Sequence, residues 1–155
     1  MMDNTVKIII FQLNNQEYGA NIHQILSIEK LQDVVALPQT SDFIKGVINL
    51  RGQVTPVIDL KKRLDMKESE HTEQTRVLIA SVDENVQVGL IVDSATDVID
   101  IDAGIIEDTP EMMNGVESTY LQGVAKLENR LLVLLDLENV LNYREIKEVK
   151  ETIES

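Results

Sequence analysis

Two stretches decide the reading of this chain: 43-FIKGVINLRGQVTPVIDLKKRL-64 and 120-YLQGVAKLENRLLVLLDLENVL-141 align without a gap at an offset of 77 residues. Gly46 meets Gly123, Val47 meets Val124, Leu50 meets Leu127, Asp59 meets Asp136, Leu60 meets Leu137 and Leu64 meets Leu141. Phe43 with Tyr120 and Ile58 with Leu135 keep their character. Upstream, Tyr18-Gly19 corresponds to Val88-Gly89, and the strands expected at 8–13 and 77–82 correspond as well, at an offset near 70. Aliphatic strands resemble one another easily, so it is the gapless register that carries the inference. A whole unit occurs twice.

Each copy reads as strand, turn, strand, a variable connection, then a hairpin and a short helical turn. Val6, Ile8 and Ile10 alternate with Lys7, Ile9 and Phe11, and 53–60 is a β-branched run that stops at Asp59. Asn14-Asn15, Asp83-Glu84-Asn85, Arg51-Gly52 and Glu128-Asn129 supply turn chemistry where it is needed. Short strands punctuated this way point to an all-β chain of small barrels. Leu137, Val140 and Leu141, then Ile146, Val149 and Ile153, recur at helical spacing, which predicts a C-terminal helix over about 137–152 with an acidic outer face. Residues 67–74, charged and without large apolar side chains, are expected to be a mobile loop. With no Gly/Ser-rich or Pro-rich linker between the copies, the chain is expected to be one domain. Its barrel subdomains are expected at about 18–83 and about 84–142, the N-terminal strand joining the second.

Composition narrows function. Apolar residues make up 43% of the 155, enough for a core, but that core must be aliphatic, since two Phe and three Tyr are the only aromatics. Stacking platforms for bases or sugars are scarce. Net charge is -13, from 27 acidic against 14 basic residues, and this repels nucleic-acid backbones and anionic lipid. Lys61, Lys62 and Arg63 form the one basic run, which reads as a solvated edge. Without cysteine there is no disulfide, thiolate catalysis or Cys-ligated metal. No apolar stretch reaches the length of a signal or membrane segment, so a cytoplasmic protein without membrane insertion is expected.

The sequence carries no catalytic constellation. His23 lies among apolar residues and His71 in a polar loop, neither with a partner nucleophile, and GxSxG, HExxH and P-loop patterns do not occur. The one metal candidate is 93-DSATDVIDIDAGIIEDTPE-111, where Asp100, Asp102 and Glu111 fall at calcium-loop positions one, three and twelve. Ile105 stands at the sixth position, which requires Gly for its turn. A strand with one wet face, alternating Val98 with Asp100, accounts for the segment better. Neither enzyme nor cofactor is expected, and calcium binding stays as the lesser alternative.

The ordered series 11-FQL-13, 17-EYG-19, 46-GVINLRG-52, 56-PVIDL-60, 89-GLIVD-93, Val98, 120-YLQGV-124 and 134-LLDL-137 resembles the CheW family of chemotaxis coupling proteins over essentially the whole chain. The resemblance implies two intertwined five-stranded barrels, SH3-like or OB-like in size. It also implies a non-enzymatic signal-transduction adaptor, monomeric alone. Its partners would be the regulatory domain of the histidine kinase CheA and the cytoplasmic tip of a chemoreceptor, a methyl-accepting chemotaxis protein. Such an adaptor would build arrays beneath the membrane. Relatives carry the same domain inside the kinase or fused to a receiver domain. The initial Met and the end at residue 155 favour a separate adaptor, with a domain cut from such a larger protein as the alternative. Two positions depart from the family pattern: Ser27 where many members have Glu, and Ser41 where many have Pro.

Candidate protein-binding residues follow from that motif. Gly46, Val47, Asn49, Arg51 and Gly52 belong to the GVINLRG hairpin, and Ile25, Ile28 and Val98 flank it as apolar residues suited to a helix laid in a groove between barrels. Arg51 stands out because its counterpart is Glu128: the turn itself does not require Arg, so the asymmetry points to a role confined to the first copy.

Overall fold

A computed structural model describes residues 4–37, 42–83, 86–108, 112–113, 116–117 and 120–154. The strands are β1 (Thr5–Leu13), β2 (Gln16–Asn21), β3 (Ile25–Lys30), β4 (Ile44–Leu50), β5 (Gln53–Asp59), β6 (Arg76–Asp83), β7 (Val86–Val92), β8 (Ser94–Asp102), β9 (Ile106–Glu107), β10 (Met112–Met113), β11 (Val116–Glu117), β12 (Leu121–Leu127) and β13 (Arg130–Leu135). Two helices accompany them, α1 (Leu60–Arg63) and α2 (Tyr143–Glu154). The strands form a five-stranded sheet ordered β3-β6-β7-β5-β4, a six-stranded sheet ordered β8-β1-β2-β13-β12-β9, and a two-stranded ribbon, β10-β11.

These orders superimpose the duplication on the sheets. The first copy is β1 to β5 and the second is β6 to β8 with β12 and β13. Replacing each strand of one sheet by its counterpart gives the other: β3-β6-β7-β5-β4 becomes β8-β1-β2-β13-β12. Each copy has therefore given its first hairpin to the other copy's sheet. The registers agree: Val57 pairs in parallel with Gly89, and Leu134, 77 residues after Val57, pairs in parallel with Gly19. Both glycines are needed there. A Cβ on Gly19 would lie 2.6 Å from Ile8 and 3.0 Å from Leu134, and one on Gly89 would lie 2.6 Å from Val77 and 2.9 Å from Val57.

Because β1 and β2 are joined by a two-residue turn with both Asn14 and Asn15 at positive φ, they travel as a unit. The expected boundaries are corrected accordingly. Residues 5–21, and not the first strand alone, enter the second sheet, while 86–92 stay with β6 in the first. The sixth strand of the second sheet is also more than expected. It arises where β9 lies against Gly123, whose missing Cβ admits Ile106 and the Glu107 carbonyl; among the described residues of the first copy, the matching place holds a bridge between Val35 and Val47 beside Gly46.

The exchanged hairpins also explain why β1 is apolar on both faces. Ile8 and Ile10 join Ile101, Ala125, Leu132 and Leu134 inside the second sheet, while Val77 and Ile79 join Ile48, Leu50, Val57 and Ile91 inside the first. Their alternates, Ile9, Phe11 and Leu13 with Leu78, Ala80 and Val82, form a third and larger core between the sheets, closed by Val149 of α2. At the aliphatic burial rate of about 25 cal/mol per Å² this central layer is a main source of stability.

Asp59 and Asp136 act alike. Each backbone N–H donates to the carbonyl of the paired aromatic, Phe43 or Tyr120, at 2.9 Å. Each carboxylate then caps the following turn, accepting from Lys61 and Lys62 N–H in one copy and from Glu138 N–H in the other. The second of these turns is a 3-10 helix, Leu137–Asn139, so the C-terminal helix begins at Tyr143 and not at 137. Its start is fixed by a reciprocal capping box between Asn142 and Glu145, with bonds of 2.8 and 2.9 Å. Residues 67–74 are irregular, as read, yet they are tethered: Asn14 donates to the Lys67 carbonyl at 2.8 Å, the Lys61 ammonium donates to Ser69, and Thr72 N–H donates to Thr75 Oγ1 at 2.8 Å.

Candidate protein-binding surface

The basic run at 61–63 is not a solvated edge. Lys61 is buried and pairs with Asp93 at 2.6 Å, where the chain passes from one sheet to the other. The second Asp93 oxygen accepts from Asn14 N–H at 2.7 Å, so one carboxylate ties α1 to the β1-β2 turn. Arg63 lies between the rings of Phe43 and Tyr120, at 5.5 and 4.9 Å from their centres. It donates to the Val140 carbonyl at 2.7 Å and to Glu145 at 2.9 Å. Two of the three cations therefore hold the halves together. Lys62, outside, pairs with Glu68 at 3.3 Å, and its hydrogen bond and charge, with Lys45 and Lys61, hold the Glu68 carboxyl below the usual glutamate range.

The GVINLRG residues fall on one feature, the β4-β5 hairpin. Gly46 has φ +147, and a Cβ there would lie 2.1 Å from the Val35 carbonyl, so it admits the crossing segment that Val47 then bonds at 2.9 and 3.0 Å. Gly46 is thus accounted for by packing. Asn49 accepts from Gly52 N–H at 2.8 Å, closing a turn in which Arg51 and Gly52 both have positive φ, +51 and +86. An L residue other than Asn or Gly at Arg51 costs about 1 kcal/mol of backbone strain. Its guanidinium reaches Glu29 of β3 at 3.2 Å and is still 73% exposed. Since β3 and β4 are the two ends of the sheet, this ion pair spans the sheet's open side.

Ile25 is half-buried against the central core. Ile28 on β3 and Val98 on β8 are 43% and 44% exposed, and they are counterparts: Ile28 pairs with Leu78 of β6, Val98 with Ile9 of β1. Ser27 lies beside Ile28 on β3; Ser41 is outside the described residues, as are Glu84, Asn85 and Glu111. The sequence reading passed over Leu26, Val35 and Val54, all large, aliphatic and exposed. Val54 pairs with Asn49, next to the motif, and its counterpart Leu131 is exposed as well. Strand alternation could have found Leu26, two residues before Ile28. Of the proposed calcium ligands, Asp100 pairs with Lys7 at 3.0 Å and Asp102 caps the 3-10 turn that follows it. Among the described residues no three His, Cys, Asp or Glu side chains come together as a metal site, and no helix is long and apolar enough to cross a membrane.

The polar groups described above are committed to caps and ion pairs, while aliphatic side chains stand exposed on edge strands and hairpins. Comparison with known proteins gives the chain its family. A family model described as CheW-like domain matches residues 7–145, and the chain belongs to that family. It is 43% identical over 136 residues to the chemotaxis protein CheW of Bacillus subtilis, covering 88% of this chain and 86% of that protein. It is 35% identical to CheW of Klebsiella aerogenes, over 95% and 88% of the two chains. The fold matches the crystal structure of scaffolding protein TtCheW from Thermoanaerobacter tengcongensis with a TM-score of 0.83 and 31% identity, covering 94% of this chain and 92% of that one. Kinship and fold together make this a chemotaxis scaffold of the CheW class.

Proposed function

We propose that the chain is a non-enzymatic adaptor that couples the cytoplasmic tips of chemoreceptors to the histidine kinase CheA and helps to build their arrays in the cytoplasm, with the regulatory domain of CheA and the receptor tip as its two partners. The observation that carries this reading is the first sheet's exposed rim: Ile28 and Leu26 on β3 and Val54 beside Asn49 on the hairpin, with the ion pair of Arg51 and Glu29 between β3 and the turn. Receptor tips are helical hairpins, and an apolar helix face suits an aliphatic rim edged by charge. Arg is over-represented among residues that dominate binding, and here it is held, at a backbone cost, in an exposed position.

The test is kinase activity in a mixture of receptor, CheA and adaptor, beside a thermal melt. Ile28→Lys and Arg51→Glu are each expected to weaken association by about 2 kcal/mol, roughly 30-fold. Both side chains are exposed, so the melt should move little: loss of a surface ion pair costs about 0–1 kcal/mol. Normal coupling by both folded variants would overturn the assignment of this rim. Loss of stability matching the loss of coupling would make the residues structural.

A further inference from the structure

The two hairpins occupy matching slots, yet they are not interchangeable. In the layer between the sheets the cross-strand pairs of β1-β2 are Ile9 with Ala20 and Phe11 with Tyr18; the corresponding pairs of β6-β7 are Leu78 with Leu90 and Ala80 with Val88. All eight side chains belong to one buried cluster. The first copy thus brings two aromatic rings, stacked with centres 6.4 Å apart, and the second brings alanine and valine at the same two positions. Two first copies meeting each other would crowd four rings into this layer. Two second copies would leave it underfilled. Only unlike halves fill it, because interiors tolerate neither overpacking nor voids.

We propose that the chain is two mutually obligate halves, residues 4–65 and 76–154, and that each half's sheet is an interaction surface specific for the other's hairpin. The slot between β3 and β5 takes the small-residue hairpin β6-β7, and the slot between β8 and β13 takes the aromatic hairpin β1-β2. The covalent connection through 66–75 is dispensable once the halves have met. Each half lacks the two central strands of its own sheet, so neither folds alone. The partner recognised is the complementary half, from the same chain or, at high concentration during refolding, from a second copy.

The loop offers a clean place to cut. Lys61 with Ser69, Lys62 with Glu68 and Asn14 with the Lys67 carbonyl lie on one side of the bond between Glu70 and His71; Thr72 with Thr75 and Arg76 with the Glu73 carbonyl lie on the other. A protease recognition sequence is inserted between Glu70 and His71 of the full chain, and the folded protein is cleaved. Both fragments are expected to co-elute at the uncut volume and to melt as one cooperative unit. After separation in denaturant, they should regain that state only when mixed. Separation of the fragments under native conditions, or a cooperative melt from either one alone, would overturn the proposal. A second arm tests the size rule in the uncut chain: Ala80→Phe should lower the melt, and adding Phe11→Ala should recover a large part of the loss. An unshifted melt for Ala80→Phe, or no recovery in the double variant, would refute it.

Discussion

Replacing Arg63 by alanine removes one side chain from the junction of the two halves, and the structure fixes what is lost. Arg63 and Glu145 are 16% and 15% exposed at a separation of 2.9 Å, so the pair is largely out of water but not fully. Breaking a buried pair by deleting one member costs about 3–5 kcal/mol, and partial exposure brings this toward the lower end. The Val140 carbonyl loses a charged donor, about 1.5–3 kcal/mol. The two ring contacts add about 0.5–1 kcal/mol each. These terms share one guanidinium and do not sum; about 3 kcal/mol in total is the expectation. For a domain of this size that is a fall in Tm of about 6–12 °C. Arg63→Lys keeps the charge but neither the planar stack nor the fork, and it should recover less than half. Urea unfolding with an unchanged slope checks the value. A change under about 1 kcal/mol would refute the bridging role, and a stable Arg63→Ala that fails to couple kinase to receptor would make Arg63 a contact for a partner.

Three further outcomes follow from single contacts. Gly46→Ala forces a Cβ onto the Val35 carbonyl at a positive φ and should cost about 2–3 kcal/mol by urea unfolding; Gly52→Asn, where a Cβ meets open space, should cost under about 1 kcal/mol. Asp59→Ala uncaps α1 and strands two N–H groups, an expected loss of about 1–2 kcal/mol; Asp59→Asn, which keeps an acceptor, should lose less. Glu68, whose folded pKa is lowered by its lysine neighbours, should titrate by NMR below the usual glutamate range, and Lys62→Gln should raise its midpoint. The sign follows: a depressed carboxyl adds stability above its unfolded pKa, and this is lost as pH falls through the folded value.

The strands and the turn at Arg51-Gly52 were legible because alternation and turn residues write them into neighbouring positions, and the duplication because its register holds without a gap at an offset of 77 residues. The exchange of hairpins was not, since nothing in Ile8–Leu13 says which copy's β5 or β13 will lie beside Gly19. The apolar character of β1 on both faces was the available sign that it is covered twice. The helix start was misplaced because Leu137, Val140 and Leu141 keep helical spacing while Asp136 and Asn142 each cap a separate turn. Lys61 and Arg63 read as surface because their partners, Asp93 and Glu145, are 32 and 82 residues away in the chain. At the candidate site the motif marked the hairpin, and burial against Val35 then separated Gly46, which serves packing, from Arg51, which points outward.

The two copies differ at particular places where they meet. Arg63 donates to the carbonyl of Val140, its own counterpart 77 residues on, and stacks between Phe43 and Tyr120, which are counterparts of each other. A residue that touches both members of such pairs sits on the line about which the copies are related. Two arginines there would place like charges in one site, so only one copy can carry the cation. The same reasoning covers Phe11 against Ala80 and Tyr18 against Val88 in the central layer. Gly19 and Gly89 stay identical although they too meet the other half, because their neighbours there, Leu134 and Val57, are both aliphatic and need the same room. Asp59 and Asp136 stay identical because each caps the turn of its own copy, Asp136 accepting in addition from Gln24 of the first. On this reading Arg51 differs in kind from Arg63. Its contact, Glu29, belongs to its own copy, so no symmetry forces Glu128 to differ from it. The proposed binding role would account for the difference, and it predicts that Arg51→Glu separates coupling from stability where Arg63→Ala does not.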